Sequence, residues 1–416
     1  MRRLATLVAV ATVVGLGGRA EAFHRQTPPI VELTNSGDNT EILPRVHPEF
    51  FSPLTLSLDT GTLDPGYFRK QLLPSGFGSA GGGGNSIIRQ NWFDKKFQEL
   101  ANSGDPQNSC ASGSGLEVAW DAECTLLCNG HGRQLFVWKL NHIFQVTHDP
   151  TGTSSHPAFN GRGDRLAFQS SGDLAGANPG SASQVFLAML DDEALGAPTF
   201  TQISHGAGTS RSPVIDFTGR DIVFESTNDA AGHDTGVPQI WLGLTDLPPA
   251  PITQGAVGSR SPDLSGDGRM VVFESTADLT TDGHDTQVSQ IFAYDTRFRT
   301  ITQLTHDPVG CTQPTVHAYK RDWRAAYVCH GTAYLTLVET REQFKLPIPD
   351  GADTPQVLDF ENNFVVVSTT AALTGGNPVA LTPATGTTEG HQLYLVNLFK
   401  LPAIPLNAPA PRPIRR

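Results

Sequence analysis

Basic residues are in short supply in this chain. Lys and Arg number 29 against 41 Asp and Glu, a formal net charge of −12 with histidine neutral. An acidic chain with no Lys/Arg run lacks the electrostatic footprint of a nucleic-acid binder, so nucleic acid is not an expected partner. Runs of Lys, Glu and Ala at helical period are scarce as well. Catalytic signatures are mostly missing: there is no G-x-S-x-G nucleophile elbow, no H-E-x-x-H zinc helix and no D-x-D-x-D-G calcium loop. The glycine run Gly81–Gly84 lacks the Lys-Ser/Thr of a phosphate loop and reads as a flexible insertion.

Long apolar runs are limited to one, Leu4–Leu16, which follows Arg2 and Arg3 and precedes Ala20-Glu21-Ala22. A positive start, a short apolar stretch and an A-x-A site make the layout of a secretory signal peptide. The run is too short to span a bilayer comfortably. Residues 1–22 are therefore expected to be removed on export. The mature protein is expected in the periplasm or secreted, without membrane insertion.

What the chain does have is 42 glycines, 30 prolines and many short Val/Ile/Phe-rich runs between them. That composition reads as an all-β chain with tight turns. The stretch "DGRMVVFESTADL" at 267–279 has two close copies upstream, "RGDRLAFQSSGDL" at 162–174 and "GRDIVFESTND" at 219–229. Phe168, Phe224 and Phe273 mark the repeat at intervals of roughly 50 residues. Each copy is preceded by a strand start marked by proline (Pro157, Pro213, Pro262). Each is followed by a second strand ("SQVFLAML", "PQIWLGL", "SQIFAYD") and then a third ending in a polar turn ("TFTQISHG", "APITQG", "TITQLTHD"). Four strands in 40–60 residues make one propeller blade.

Fainter copies follow Pro314 and Pro355 and precede the clear ones, giving seven blades in all. "TPPIVELTNSGDN" resembles the blade-ending "FRTITQLTHDPVG", so residues 28–34 are expected to supply the outer strand of the last blade and close the ring. Closure of that kind removes an exposed edge. The expectation is a single closed propeller over residues 23–404 with a Pro-rich tail at 405–416.

The stretch "SPDLSGDGRMVVFESTADL…SQIFAYD" resembles the repeat of the TolB-like β-propellers. The resemblance covers nearly all of the mature chain, strongly in three blades and loosely in four. It implies the fold rather than an activity. TolB itself carries an additional N-terminal α/β domain, which is not expected here before the first blade.

Five cysteines in an exported chain suggest bridges with one left over. Cys110 and Cys128 share the x17 spacing of Cys311 and Cys329, and in the repeat frame each pair meets at one blade edge. Cys124 stands four residues before Cys128. On one extended strand the two would lie about 13 Å apart, beyond disulfide reach. The expected bridges are Cys110–Cys128 and Cys311–Cys329, with Cys124 a buried thiol.

In a blade, the loop entering the inner strand and the loop between the second and third strands lie at the same end. Polar residues of different blades gather there, among them His148, His205 and His306. Arg211 and Arg260 hold equivalent places in two "S-R-S-P" segments. With His156 they are the candidate ligand-binding residues, suited to clamp a carboxylate or sulfate. The alternative is an ion pair with Glu225 or Glu274. The two "GHDT" segments offer Asp234, Asp282, His284 and Asp285 as candidate ligands for calcium or a transition metal. The alternative is that these acids build Asx turns. No cofactor is required by either pattern. The function expected is a non-enzymatic module whose loop-rich face binds a protein, peptide or glycan. A metal-assisted propeller enzyme such as a polysaccharide lyase, and a structural part of an envelope assembly, are the alternatives.

Overall fold

The computed structural model describes residues 30–32, 45–46, 55–59, 87–91, 96–101, 106–113, 116–124, 130, 132–190, 198–280, 288–319, 322–348, 355–361, 364–369 and 392–401. Among these the chain is all-β, apart from one short 3-10 turn at Leu398–Lys400. The strands form seven four-stranded antiparallel sheets.

Sheet 1 takes Arg45–Val46, Thr55–Asp59, Ile87–Asn91 and Lys96–Ala101. Sheet 2 takes Gln107–Ala111, Val118–Glu123, Arg133–Lys139 and His142–Gln145. Sheets 3, 4 and 5 begin with Ser154–Phe159, Ser210–Ile215 and Ser259–Leu264, and sheet 6 with Cys311–Tyr319. Each of these six is a meander of strands consecutive in sequence. Sheet 7 joins Gln356–Glu361, Phe364–Thr369 and Gln392–Asn397 to Ile30–Glu32 at its outer edge. Ile30 stands opposite Val396 and Glu32 opposite Tyr394, so residues from both ends of the chain share one ladder, within the segment expected from the sequence. The first strand of each sheet touches that of the next, and Arg45–Val46 of sheet 1 touches Gln356–Glu361 of sheet 7.

Side chains explain why the sheets stack. The middle strands are buried on both faces, which is why they read as near-continuous apolar runs rather than alternating ones. Phe168, Phe224 and Phe273 are all at most 1% exposed. Phe168 stacks on Phe186 and Phe273 on Phe292, with ring centroids 5.9 and 5.8 Å apart. Ala167, Val185 and Leu187 of sheet 3 share one core cluster with Ile222, Phe224 and Trp241 of sheet 4, so the core lies between sheets.

The proline-marked strand starts have a specific geometry. Pro157, Pro213, Pro262 and Pro314 have no amide to give the ladder, and in all four strands the register shifts across the proline. The residue before each proline is left-handed: His156, Ser212, Ser261 and Gln313 have φ of 52°, 52°, 51° and 57°. Asn108 in sheet 2, with φ of 50°, makes the same bulge without proline.

That bulge corrects one cysteine pairing. Counted from it, Cys311 lies two residues before the left-handed residue and faces Cys329, to which it is disulfide-bonded as expected. Cys110 lies two residues after it and faces Ala119. Equal sequence spacing therefore falls at different depths in the two sheets. Cys110 is buried and outside any disulfide, whereas Cys124 is disulfide-bonded. The strand expected to carry Cys124 ends at Glu123, one residue before it. Cys128 itself lies outside the described residues, as do residues 1–22 and 405–416.

Candidate functional site

Antiparallel order puts the start of every first strand and the loop between the second and third strands at one end of the molecule. The other end carries short turns such as 160–164, 216–220 and 265–269. Two sets of side chains shape the loop end.

The first set is a series of buried glutamines. Gln134, Gln184, Gln239 and Gln290 lie in the third strands of their sheets, two residues before the aromatic that pairs with the second strand, and are 0%, 0%, 6% and 0% exposed. Gln184 donates from Nε2 to the carbonyls of Gly206 and Gly208 at 3.1 and 3.0 Å, and its Oε1 accepts the Ser204 hydroxyl at 2.6 Å. Gln239 does the same with the Gly255 and Val257 carbonyls and the Thr253 hydroxyl. Gln290 holds both the carbonyl and the amide of Asp307, and Gln134 those of Asp149. Each hydroxyl also accepts the amide that follows its glutamine, or in sheet 2 the Thr147 hydroxyl accepts that of Leu135. The loop leading into the next sheet is thus fixed from beneath. The sequence shows these residues in "RQLF", "SQVF", "PQIW" and "SQIF", but their apolar neighbours carry the repeat signal and the glutamine reads as filler.

The second set links neighbouring sheets at the left-handed residues. The His156 amide donates to Asp121 Oδ2 at 3.0 Å, the Ser212 amide to Gln169 Oε1 at 3.0 Å and the Ser261 amide to Glu225 Oε1 at 2.8 Å. Asp121 is 0% exposed and also receives Arg133 at 2.6 Å and Asn108 Nδ2 at 2.8 Å. It is the acceptor around which the mouth of sheets 2 and 3 is organised, and no motif announces it.

Against this frame the candidate residues separate. His156 serves by its backbone, and its ring Nδ1 lies 3.2 Å from Ser155 Oγ. Arg211 pairs with Glu225, Nε to Oε2 at 2.9 Å, and Glu225 in turn ties Ser261 of the next sheet. Arg260, at the equivalent place, has no ion pair or hydrogen bond among the described residues. Its cross-strand neighbour Glu274 instead accepts the hydroxyls of Ser261 at 2.5 Å and Ser289 at 3.4 Å. Arg260 and Glu274 line a hollow of about 340 Å³ with Gly258, Ser275, Thr276 and Ser289.

The candidate metal residues are less gathered. Asp234 Oδ1 accepts the Thr227 hydroxyl at 2.6 Å and the Gly236 amide at 3.0 Å, which hold its carboxyl below the ordinary aspartate value. Asp229 is held low by the His233 amide and ring, and also accepts the Ala231 amide. These are Asx turns, the alternative weighed for the acidic loops. Asp282, His284 and Asp285 lie outside the described residues. Among the described residues no three His, Cys, Asp or Glu side chains gather where they could hold a metal ion. His148, His205 and His306 sit exposed in the loops that the glutamines anchor.

No protein-family model and no curated protein matches the sequence. Solved structures do. The β-propeller domain of the Trilobed protease of Pyrococcus furiosus, described with an open velcro topology, is 10% identical at a TM-score of 0.52. It covers 82% of this chain and 93% of its own. The oligogalacturonate lyase of Vibrio parahaemolyticus is 11% identical at 0.52, covering 88% of this chain and 93% of its own. TolB of Acinetobacter baumannii is 13% identical at 0.38, covering 75% and 76%. At these identities the likeness is one of fold, and the fold is a β-propeller, as the repeat implied.

Proposed function

We propose that this chain is an exported, closed seven-bladed propeller that acts as a binding module, recognising a partner with its loop-bearing end in the periplasm or outside the cell. The observation that carries this reading is the glutamine series. Four loops facing that end are each held from beneath by a side chain with almost no exposure, so the surface they present is organised before any partner arrives. A preorganised surface loses less entropy on association than one that must be ordered. The pattern of residues 1–22 supports export. The names of the fold neighbours lend no activity at this level of identity.

The test is site-specific photo-cross-linking in the organism's envelope extract. A cross-linker at exposed His205 or Val309, on the loop end, is expected to trap a partner. One at exposed Leu247 or Phe298, on the turn end, is expected to trap none. Cross-links arising from the turn end alone would overturn the reading. Stoichiometric metal in the purified protein, with loss of melting temperature in EDTA, would replace it with a metal-assisted enzyme.

A further inference from the structure

The two "S-R-S-P" segments are near-identical in sequence and occupy the same register, yet their arginines do different things. In sheet 4, Glu225 is 6% exposed and holds Arg211 with one oxygen and the Ser261 amide with the other. In sheet 5 the Glu274 carboxylate accepts serine hydroxyls instead, and no ion pair with Arg260 forms among the described residues. A difference in sequence accompanies this at the residue before each buried glutamine. Sheet 4 has Pro238 there, which has no hydroxyl, whereas sheet 5 has Ser289, whose hydroxyl reaches Glu274 at 3.4 Å. Ser261 supplies a second hydroxyl to the same carboxylate. Among the described residues Arg260 keeps its full set of donors, exposed at the edge of a polar hollow of about 340 Å³.

We propose that Arg260 is a binding residue for a carboxylate of a peptide partner, a terminal or side-chain carboxylate seated in this hollow. The inference rests on the loop-end reading above and deepens it. A guanidinium with unused donors binds a carboxylate through two parallel hydrogen bonds, a geometry an ammonium cannot reproduce. Thr276 and Ser275 line the same hollow, which keeps its wall polar. The net charge of −12 opposes a polyanion and tolerates a single carboxylate on an otherwise neutral or basic chain. A sugar acid would call for an exposed aromatic ring to stack on. Phe298 is the one aromatic among the large apolar side chains exposed in the described residues, and it lies at the turn end.

The probes are acetyl-trialanine with a free carboxylate, its C-terminal amide and galacturonate, followed by NMR of the arginine side-chain Nε–Hε signals. The free acid is expected to shift the Arg260 signal saturably, and the amide is not. Arg260→Gln is expected to weaken the acid about tenfold or more, the loss of one charge-assisted pair. Arg211→Gln is expected to leave the affinity unchanged. Glu274→Gln, which removes a like charge from the wall of the hollow, is expected to tighten it. Equal response to acid and amide, or an unaltered affinity in Arg260→Gln, overturns the proposal. So does binding of galacturonate without the peptide acid. Partner cross-linking at His205 that survives Arg260→Gln would overturn the carboxylate site as the partner's anchor while sparing the loop-end reading. Loss of cross-linking from the loop end in the wild-type protein would remove both.

Discussion

Cys311 and Cys329 face each other across the first two strands of sheet 6, at the register position where three other sheets place a pair of serines. Ser154 meets Ser170, Ser210 meets Ser226 and Ser259 meets Ser275, hydroxyl to hydroxyl at 3.0, 2.9 and 3.0 Å. The disulfide is a covalent version of a contact that the repeat otherwise makes with a hydrogen bond. The double variant Cys311→Ser/Cys329→Ser should therefore keep the fold and lose about 3 kcal/mol, the loop-entropy contribution of a bridge of this span. The corresponding double alanine should lose about 1 kcal/mol more, for the hydrogen bond the serines recover. Urea melts of the three proteins measure both differences.

Thiol titration follows from the cysteine assignment. Cys110 is 0% exposed, so the native protein should react slowly with a thiol reagent. Denatured without reductant it should release one equivalent, and Cys110→Ala none. A second equivalent, or a signal that survives the substitution, would contradict the assignment.

The glutamine series predicts a local effect of a global size. Gln184→Ala leaves the Gly206 and Gly208 carbonyls and the Ser204 hydroxyl without their partner in a buried setting, and should cost about 2–3 kcal/mol. Hydrogen exchange should rise at 204–208 and at Val185, whose amide is held by Ser204, before it rises elsewhere.

At the turn end, Gly161 lies against the ring of Phe217 from the next sheet. A Cβ there would stand 1.9 Å from Phe217 Cδ2. Gly161→Ala should destabilise by about 1–3 kcal/mol through overpacking. Phe217→Leu on that background should recover part of the loss, and the double-mutant cycle reports the coupling directly.

Asp221 gives the pH dependence. Burial first, and then the neighbouring carboxylate of Asp216, push its carboxyl up from 3.8 to about 6. Near pH 3 both folded and unfolded chains are protonated at this site and it contributes nothing. As pH rises through 3.8 the unfolded chain ionises while the folded one holds its proton, so stability falls until about pH 6 and stays lower beyond. Asp221→Asn should match the wild type at pH 3, lack that fall and be the more stable protein at pH 7. Melting temperatures across the range check the sign.

The fold was legible because Phe168, Phe224 and Phe273 recur with their flanking strands and prolines. Burial on both faces demands the same apolar run each time. The strand from Ile30 to Glu32 was legible because it copies the end of a repeat. Pairing at Cys110 was not, because depth in a sheet is counted from the left-handed bulge, and Asn108 makes that bulge without the proline that marks it elsewhere. Nor could the sequence separate Arg211 from Arg260. Their local motifs agree, and what distinguishes them is the set of groups that each facing glutamate meets after folding: Glu225 takes Arg211 and the Ser261 amide, and Glu274 takes the hydroxyls of Ser261 and Ser289.

The ladder between Ile30–Glu32 and Gln392–Asn397 also sets an order of events. The first strand of the fold emerges from synthesis or translocation ahead of every repeat, and its partner emerges after all of them. Until then it is an unpaired edge, able to join any other exposed edge it meets. A chain built in this way completes sheet 7 only once its last strand, Gln392–Asn397, has been made. Truncation of the last strand should consequently release the first as well, making the two ends a single failure point for proteolysis and aggregation.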